Sequence, residues 1–343
     1  MSELLFGLDT FGGINIDAAG KPQSAAQVIR EIVDEAVLAD ELGIYAFNVG
    51  EHHRDDFAVS APDMVLAAIA SRTKNILLGT GVTVLSSDDP VRVYERFATL
   101  QALSNGRAEI SAGRGSFIES FPLFGFELND YHELFEEKLE LLVQLLGEKA
   151  VTWSGKHRSA LQNQHVWPKT EQPIQLRVGV GGSPESVIRA ARLGIPMALA
   201  IIGGDPERFA PFAKLYRDSL AKLDQPDLPV SIHSPGLITD TDDEAIDIGW
   251  PAYEAYFGKI GAERGWGRTT KDHFVNEVRY GSMYYGSPEF VARKIVHAIT
   301  SVGAQRFDLK YDNGPVSHAA HIRTIELYAG EVIPRVKRML GEG

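Results

Sequence analysis

Residues 76–112 read ILLGTGVTVLSSDDPVRVYERFATLQALSNGRAEISA, and this stretch decides the architecture. A run rich in β-branched residues, Ile76 to Thr83, has the composition of a strand. Pro90 to Leu103 follows as an amphipathic helix, and Ser104-Asn105-Gly106 is a stop signal behind it. Ala108 to Ala112 is then a second short apolar run. Strand, helix and strand at this spacing repeat in both directions. Upstream lie a strand at Leu4 to Leu8, a helix at Ser24 to Leu42 with Val28, Ile32 and Ala36 on one face, a strand at Ile44 to Val49 and a helix at Ala61 to Arg72. Downstream, Tyr131 to Leu146 carries a strong apolar stripe.

The second half keeps the rhythm less tidily. Gln175 to Val180, Pro196 to Ile202, Val230 to Ile238 and Arg306 to Tyr311 read as strands. Helices follow at Ser183 to Leu193, Pro206 to Leu223, Asp242 to about Gly261, Pro288 to Val302 and His318 to Met339. Eight strands alternating with helices favour a closed (β/α)8 TIM barrel of the α/β class over an open sheet. Two segments break the pattern. Residues 147–172 read as an inserted loop or hairpin, and residues 263–285, rich in charge, glycine and aromatics, as an irregular lid. No linker or low-complexity stretch divides the chain, so residues 1–343 are read as a single domain.

Composition narrows the chemistry. With 34 basic against 46 acidic residues the net charge is −12, which leaves no electrostatic footprint for nucleic acid. Cysteine is absent, so disulfides, thiolate metal sites and cysteine nucleophiles are excluded together. No run reaches the roughly 18 apolar residues of a membrane span, and the first residues lack a basic region followed by a signal-length apolar stretch. A cytoplasmic enzyme without membrane or nucleic-acid partners is the expectation.

The residues that carry chemistry sit where barrel strands end, the position of the active site in this architecture. Strand two runs AFNVGEHH from Ala46 to His53 and breaks off into Glu51, His52 and His53, a cluster expected to titrate near neutral pH. Adjacent histidines on an extended segment point to opposite faces and cannot readily chelate one ion, and no pair of histidines four apart on a helix is present, so no metal is expected. One histidine is read as catalytic and the other as supporting. At the end of strand three, Gly79, Thr80 and Gly81 suit either close approach of backbone to a flat ligand or ordinary turn chemistry. At the end of strand four, Arg114 stands between two glycines, which suits a guanidinium gripping a phosphate or carboxylate, although an exposed arginine is commonly a plain surface charge. At strand five, Gly181-Gly182 leads to Ser183 at the N-cap, Pro184 at the first helical position and Ser186 one turn in, a ready anion site or simply a well-capped helix.

Taken together, these residues resemble the bacterial luciferase-like flavin monooxygenase family. The similarity is carried by Glu51-His52-His53, by residues 77–117, by VGVGGSPESVIRAARLGIP from Val178, by GSPEFVARKIVHAI from Gly286 and by the ending LYAGEVIPRVKRML. It implies a barrel that binds reduced FMN at the carboxyl ends of its strands, with a separate reductase delivering the reduced cofactor, and inserts one atom of O2 into a small organic substrate. On that basis His52 matches the catalytic histidine, with Glu51 and His53 beside it. Thr80 and Gly81 match the segment along the flavin ring, which in the family often holds a non-prolyl cis peptide. Arg114 and the Gly181, Gly182, Ser183, Ser186 loop match the contacts to the flavin phosphate. Luciferase itself has an acidic residue where Gly182 stands, a departure that implies an amide-only phosphate contact here, and a cysteine where Gly113 stands, a departure that argues against luciferase-like light emission. The resemblance also implies a homodimer through the helices at Ala61 to Arg72 and Arg92 to Leu103. A deazaflavin-dependent oxidoreductase and a non-catalytic flavin-binding protein are the alternative readings on the same fold.

Overall fold

Alternation of inward and outward side chains along eight parallel strands shapes the structure, a computed structural model that describes residues 3–115, 117–265 and 267–341. The strands are β1 (Leu5–Thr10), β2 (Ala46–Val49), β3 (Leu77–Thr80), β4 (Ala108–Gly113), β5 (Gln175–Val180), β6 (Met197–Ala200), β7 (Val230–Ile238) and β8 (Arg306–Lys310). Each pairs in parallel with the next, β7 with β8, and β8 with β1, so the sheet closes into an eight-stranded barrel. Closure leaves no sheet edge to protect.

Around it run α1 (Ala25–Glu41), α2 (Pro62–Ala70), α3 (Pro90–Leu103), α4 (Tyr131–Leu146), α5 (Pro184–Leu193), α6 (Ala210–Lys222), α7 (Asp242–Arg264), α8 (Lys271–Tyr280), α9 (Pro288–Val302), α10 (His318–Leu327) and α11 (Ile333–Met339). Their starts are set by side chains that satisfy free backbone amides. Ser24 accepts from the Gln27 amide at the start of α1, and Asp89 accepts from Val91 and Arg92 at the start of α3. α1 turns Val28, Ile32, Ala36 and Ala39 onto the barrel, and α4 does the same with Leu134, Phe135, Leu139 and Leu142. Burying a leucine of this kind contributes about 2 kcal/mol.

The inside of the barrel is not the usual stack of branched apolar residues. Arg177 of β5, Arg306 and Asp308 of β8 and Glu109 of β4 form a buried quartet of two positive and two negative charges. Arg306 donates to both Glu109 carboxylate oxygens at 2.9 Å and to Asp308 at 2.8 Å, and Arg177 bonds Asp308 and lies 3.1 Å from Glu109. Two strand glycines make room for this layer. A Cβ at Gly7 would lie 2.1 Å from Asp308 Oδ1, and one at Gly79 would lie 2.2 Å from Asn48 Oδ1. Gly79 therefore accommodates a neighbouring side chain rather than a ligand.

Two segments differ from plain strand–helix units. Val151–Trp153 and Leu161–Gln164 form an antiparallel hairpin within residues 147–172. Residues 263–285 are not the irregular stretch expected from composition: α7 extends to Arg264, α8 follows, and Tyr284–Gly286 adds a short parallel strand beside the end of β7. α8 is short and mostly polar and buries only Phe274 and Val278, so its apolar stripe is narrow. Among the described residues no helix is long and apolar enough to cross a membrane.

Candidate functional site

The carboxyl ends of the strands open into a cavity of about 230 Å³, far more than the ~15 Å³ one water takes on that measure. Its walls are mostly apolar and aromatic: Phe11, Val82, Phe117, Pro235 and, from α7 lying across the mouth, Tyr256, Phe257 and Ile260. Met283, Tyr284 and Tyr285 are absent from these walls. Those three side chains are buried between the barrel and its outer helices, and Tyr280 points to solvent.

Gly81 lines the cavity at the end of β3, and the Gly81–Val82 peptide is cis, as the resemblance implies. Thr80 belongs to the support beneath the wall. Its hydroxyl is 2.9 Å from Thr83 Oγ1 and accepts from the Ser111 amide of β4 at 3.2 Å. Glu51 spans two parts of the rim: one carboxylate oxygen lies 3.0 Å from His53 Nε2, and the other accepts from the Val84 amide at 2.9 Å. Glu51 thus fixes the strand after the cis bond. Gly113 does the same by being small, since a Cβ there would lie 2.4 Å from Val82 Cγ2.

Beside the cavity stands an anion grip. Ser183 caps α5, accepting from the Ser186 amide at 3.3 Å, and its hydroxyl is 2.9 Å from that of Ser186. Arg114 reaches over from the end of β4, donating to Ser186 Oγ at 3.5 Å, with its other end 3.0 Å from His132 Nδ1 and its plane over Tyr131. A guanidinium, two hydroxyls and the positive end of a helix dipole converge there, a donor set suited to a phosphate. Gly182 has φ +96°, a left-handed conformation that glycine adopts without strain. Gly181 is exposed, with open space around its Cα. Both Gly115 and Gly179, next to these elements, line the cavity, so the grip and the cavity share one rim.

His52 departs from expectation. Its ring is stacked on Phe57 at 4.1 Å and packed against Phe11 at 4.7 Å, and it is buried. Burial, reinforced by the positive charge of Lys310, pushes its imidazole down to about 3. It is therefore neutral at pH 7, not a group titrating near neutrality, because aromatic walls cannot solvate an imidazolium.

The sequence reading missed the groups facing it across the mouth. His233 of β7 bonds through Nδ1 to Asp9 of β1, and both line the cavity. Lys310 of β8 donates to Asp312 carbonyl oxygen and to Asn313 Oδ1, and burial lowers its ammonium below the usual range although Asp312 opposes this. Asp312 in turn accepts from the amides of Phe11 and Gly13. Their signal in the sequence was polar residues placed alternately in strands whose composition is otherwise apolar. His52 Nδ1 and Asp9 Oδ1 are buried with no hydrogen-bond partner among the described residues. Unsatisfied polar atoms on cavity residues are what a polar-edged planar ligand such as a flavin would complete. A partly exposed trio, Asp130, Glu133 and His157, has metal-like spacing, but Lys156 Nζ sits 2.5 Å from Glu133.

Comparison with known proteins agrees with this geometry. The chain is 33% identical over 192 residues to the N-acetyl-S-alkylcysteine monooxygenase of Bacillus subtilis, 55% of this chain and 56% of that protein, so the match spans about half of either. It is 29% identical over 162 residues to the F420-dependent glucose-6-phosphate dehydrogenase of Amycolatopsis mediterranei, 45% of this chain and 48% of that one. The structure of the monooxygenase RslO1 from Streptomyces bottropensis superposes with TM-score 0.82 at 25% identity, covering 96% of this chain and 99% of the other. The oxygenating constituent of 3,6-diketocamphane monooxygenase from Pseudomonas putida, solved with FMN, shares the fold at 17% identity and TM-score 0.77, over 97% and 98% of the two chains. The model of the luciferase-like monooxygenase family matches residues 11–306, and the chain belongs to that family.

Proposed function

We propose that this protein is an FMN-dependent monooxygenase that oxidises a small, largely apolar organic substrate with O2. The observation that supports it is the shared rim: a largely apolar cavity of about 230 Å³ is lined by Gly115 and Gly179, next to the grip of Arg114, Ser183 and Ser186. In this reading the flavin ring lies along Gly81 and Val82, and its phosphate meets the α5 start. Bound reduced FMN supplies the electrons and the reaction with O2. The chain positions, shields and handles protons. Glu51 holds the Val84 amide and so the wall, and Phe11, Phe117 and the α7 residues exclude water, which strengthens polar contacts within. Neutral His52 acts as a hydrogen-bonding group toward the bound ligands rather than as a proton store.

A separate reductase is the source of reduced flavin in this reading. A homodimer through α2 and α3 fits the exposed Met64 and Leu103 on those helices, at 69% and 60% exposure. A deazaflavin on the same barrel is the second reading, favoured by the similarity to the dehydrogenase named above. The test is to supply photoreduced FMN and ¹⁸O2 with a panel of apolar ketones, thioethers and terpenes. One ¹⁸O atom in an organic product is expected. Oxidation of every panel member without label, or turnover only with a deazaflavin, would contradict the proposal.

A further inference from the structure

We infer that His233, held by Asp9, is the proton-transfer group of this cavity. The inference rests on the flavin reading above and goes beyond it. Two histidines face the cavity, and their surroundings differ. His52 is sandwiched by Phe57 and Phe11, with its Nδ1 left without a partner. His233 also stacks on Phe11, ring planes 9° apart at 5.7 Å, and its Nδ1 meets the Asp9 carboxylate.

A carboxylate can only accept, so Nδ1 carries the hydrogen in both charge states of the ring. Nε2, turned away from Asp9, is then the nitrogen that exchanges protons. A carboxylate that fixes the tautomer and steadies the imidazolium is the arrangement that makes histidine an effective acid–base group. Asp9 comes from β1 and His233 from β7, on either side of β8. The other charged or titratable groups around the pair include Arg306, Asp308 and Lys310 on β8, Arg177 on β5, Glu51 and His52 after β2, and Tyr256 and Arg264 of α7. The adjoining strand β6, Met197–Ala200, carries none. Asp9 is thus the positioning residue, with Lys310 and Arg306 among its charged neighbours.

The proton balance shows what the dyad supplies. Reduced flavin as its anion brings two electrons and one proton; the atom of O2 that does not enter the substrate needs one proton more to leave as water. The His233 Nε2–H bond breaks as that O–H bond forms. The neutral ring, its Nδ1–H still on Asp9, is then re-protonated by solvent at the cavity mouth.

The test uses reduced FMN and O2 as probes, because without organic substrate the same extra proton ends in hydrogen peroxide. Peroxide formation by the wild type should fall as pH rises. His233→Gln should be slower by roughly 100-fold and flat with pH. Asp9→Asn should lie between, with Asp9→Glu recovering part of the rate. In parallel, ¹⁵N spectra of histidine rings in cofactor-free protein should show His233 protonated at Nδ1, and loss of that tautomer preference in Asp9→Asn. An unchanged rate and pH profile in His233→Gln overturns the inference, as does a His233 ring protonated at Nε2 alone. Wild-type protein that fails to bind FMN overturns the flavin reading instead, and the ring-nitrogen spectra then still decide whether Asp9 holds His233. Should His233→Gln fail to fold, Asp9→Asn carries both readouts.

Discussion

The grip and the barrel mouth are built by opposite means. The grip takes Ser183 and Ser186 from one helix start and adds a single arginine from a neighbouring loop. Its cap is made within one turn, where Ser183 accepts from the Ser186 amide, and its charge is partly solvated. The mouth takes Asp9, His52, His233 and Lys310 from four parts of the barrel, and the bonded pair Asp9 and His233 is 224 residues apart in sequence. Its chemistry exists only once the barrel has closed. The lesson is that a site made from one turn keeps its properties locally, whereas a site made by closure takes them from burial: two histidines on one cavity differ because one faces rings and the other a carboxylate.

The sharpest way to break this contrast is to remove a charge from the layer on which the mouth rests. Asp308→Asn leaves Arg177 and Arg306 short of a buried counter-charge, and a loss of roughly 3–5 kcal/mol in urea unfolding is expected. Near-wild-type stability would show that the layer tolerates imbalance and that closure does not depend on it. Next comes the wall. Gly113→Ala drives a methyl group into Val82, so affinity for FMN and for phosphate-free riboflavin should fall together, by about 1–3 kcal/mol in calorimetry. A loss confined to FMN would place the effect at the grip instead.

The third test separates the histidines. His52 sits at about 3 when folded and at 6.5 when exposed, so the unfolded chain takes up the proton first as pH falls. Its contribution is fully present above pH 6.5 and is lost progressively toward pH 3. Between pH 6.5 and 5 the cofactor-free wild type should lose about 1–2 kcal/mol more stability than His52→Phe. Parallel curves would mean that the folded ring accepts a proton after all. Glu35 does not confuse this window. Burial raises its carboxyl, but His321, His318 and Tyr311 outweigh that and hold it at about 2, so its share is lost only below its ordinary 4.5. The smallest effect is expected at Ser186→Ala, which removes one hydroxyl from the grip and should weaken FMN binding by about 1 kcal/mol, roughly fivefold.

Much of this was legible in the chain, for physical reasons that also mark the limits. The eight strand–helix units follow from hydrophobic period, and the α5 start follows from Ser183 and Pro184, because capping chemistry is local. The positions of His52, Gly81 and Arg114 at the rim follow from strand ends. What periodicity could not show was the environment of each group. His52 looked like a titrating base because nothing nearby in sequence announced Phe11 and Phe57 around it. Thr80 looked like a flavin contact, yet its hydroxyl is taken up by β4. Asp9, His233 and Lys310 sit in LFGLDT, VSIHSPGLI and RFDLK, where a lone polar residue passes for noise until the strands meet.

If grip and cavity hold the two ends of one flavin, as proposed, FMN and riboflavin should report on them separately in a paired binding measurement. Affinities of FMN and riboflavin would be determined for the wild type and for Arg114→Ala, whose guanidinium meets Ser186 at the α5 start. The account predicts that the wild type prefers FMN, and that the substitution weakens FMN by roughly 10–100-fold while leaving riboflavin unchanged. Equal affinity for the two ligands in the wild type, or an equal loss of both in the variant, would contradict it.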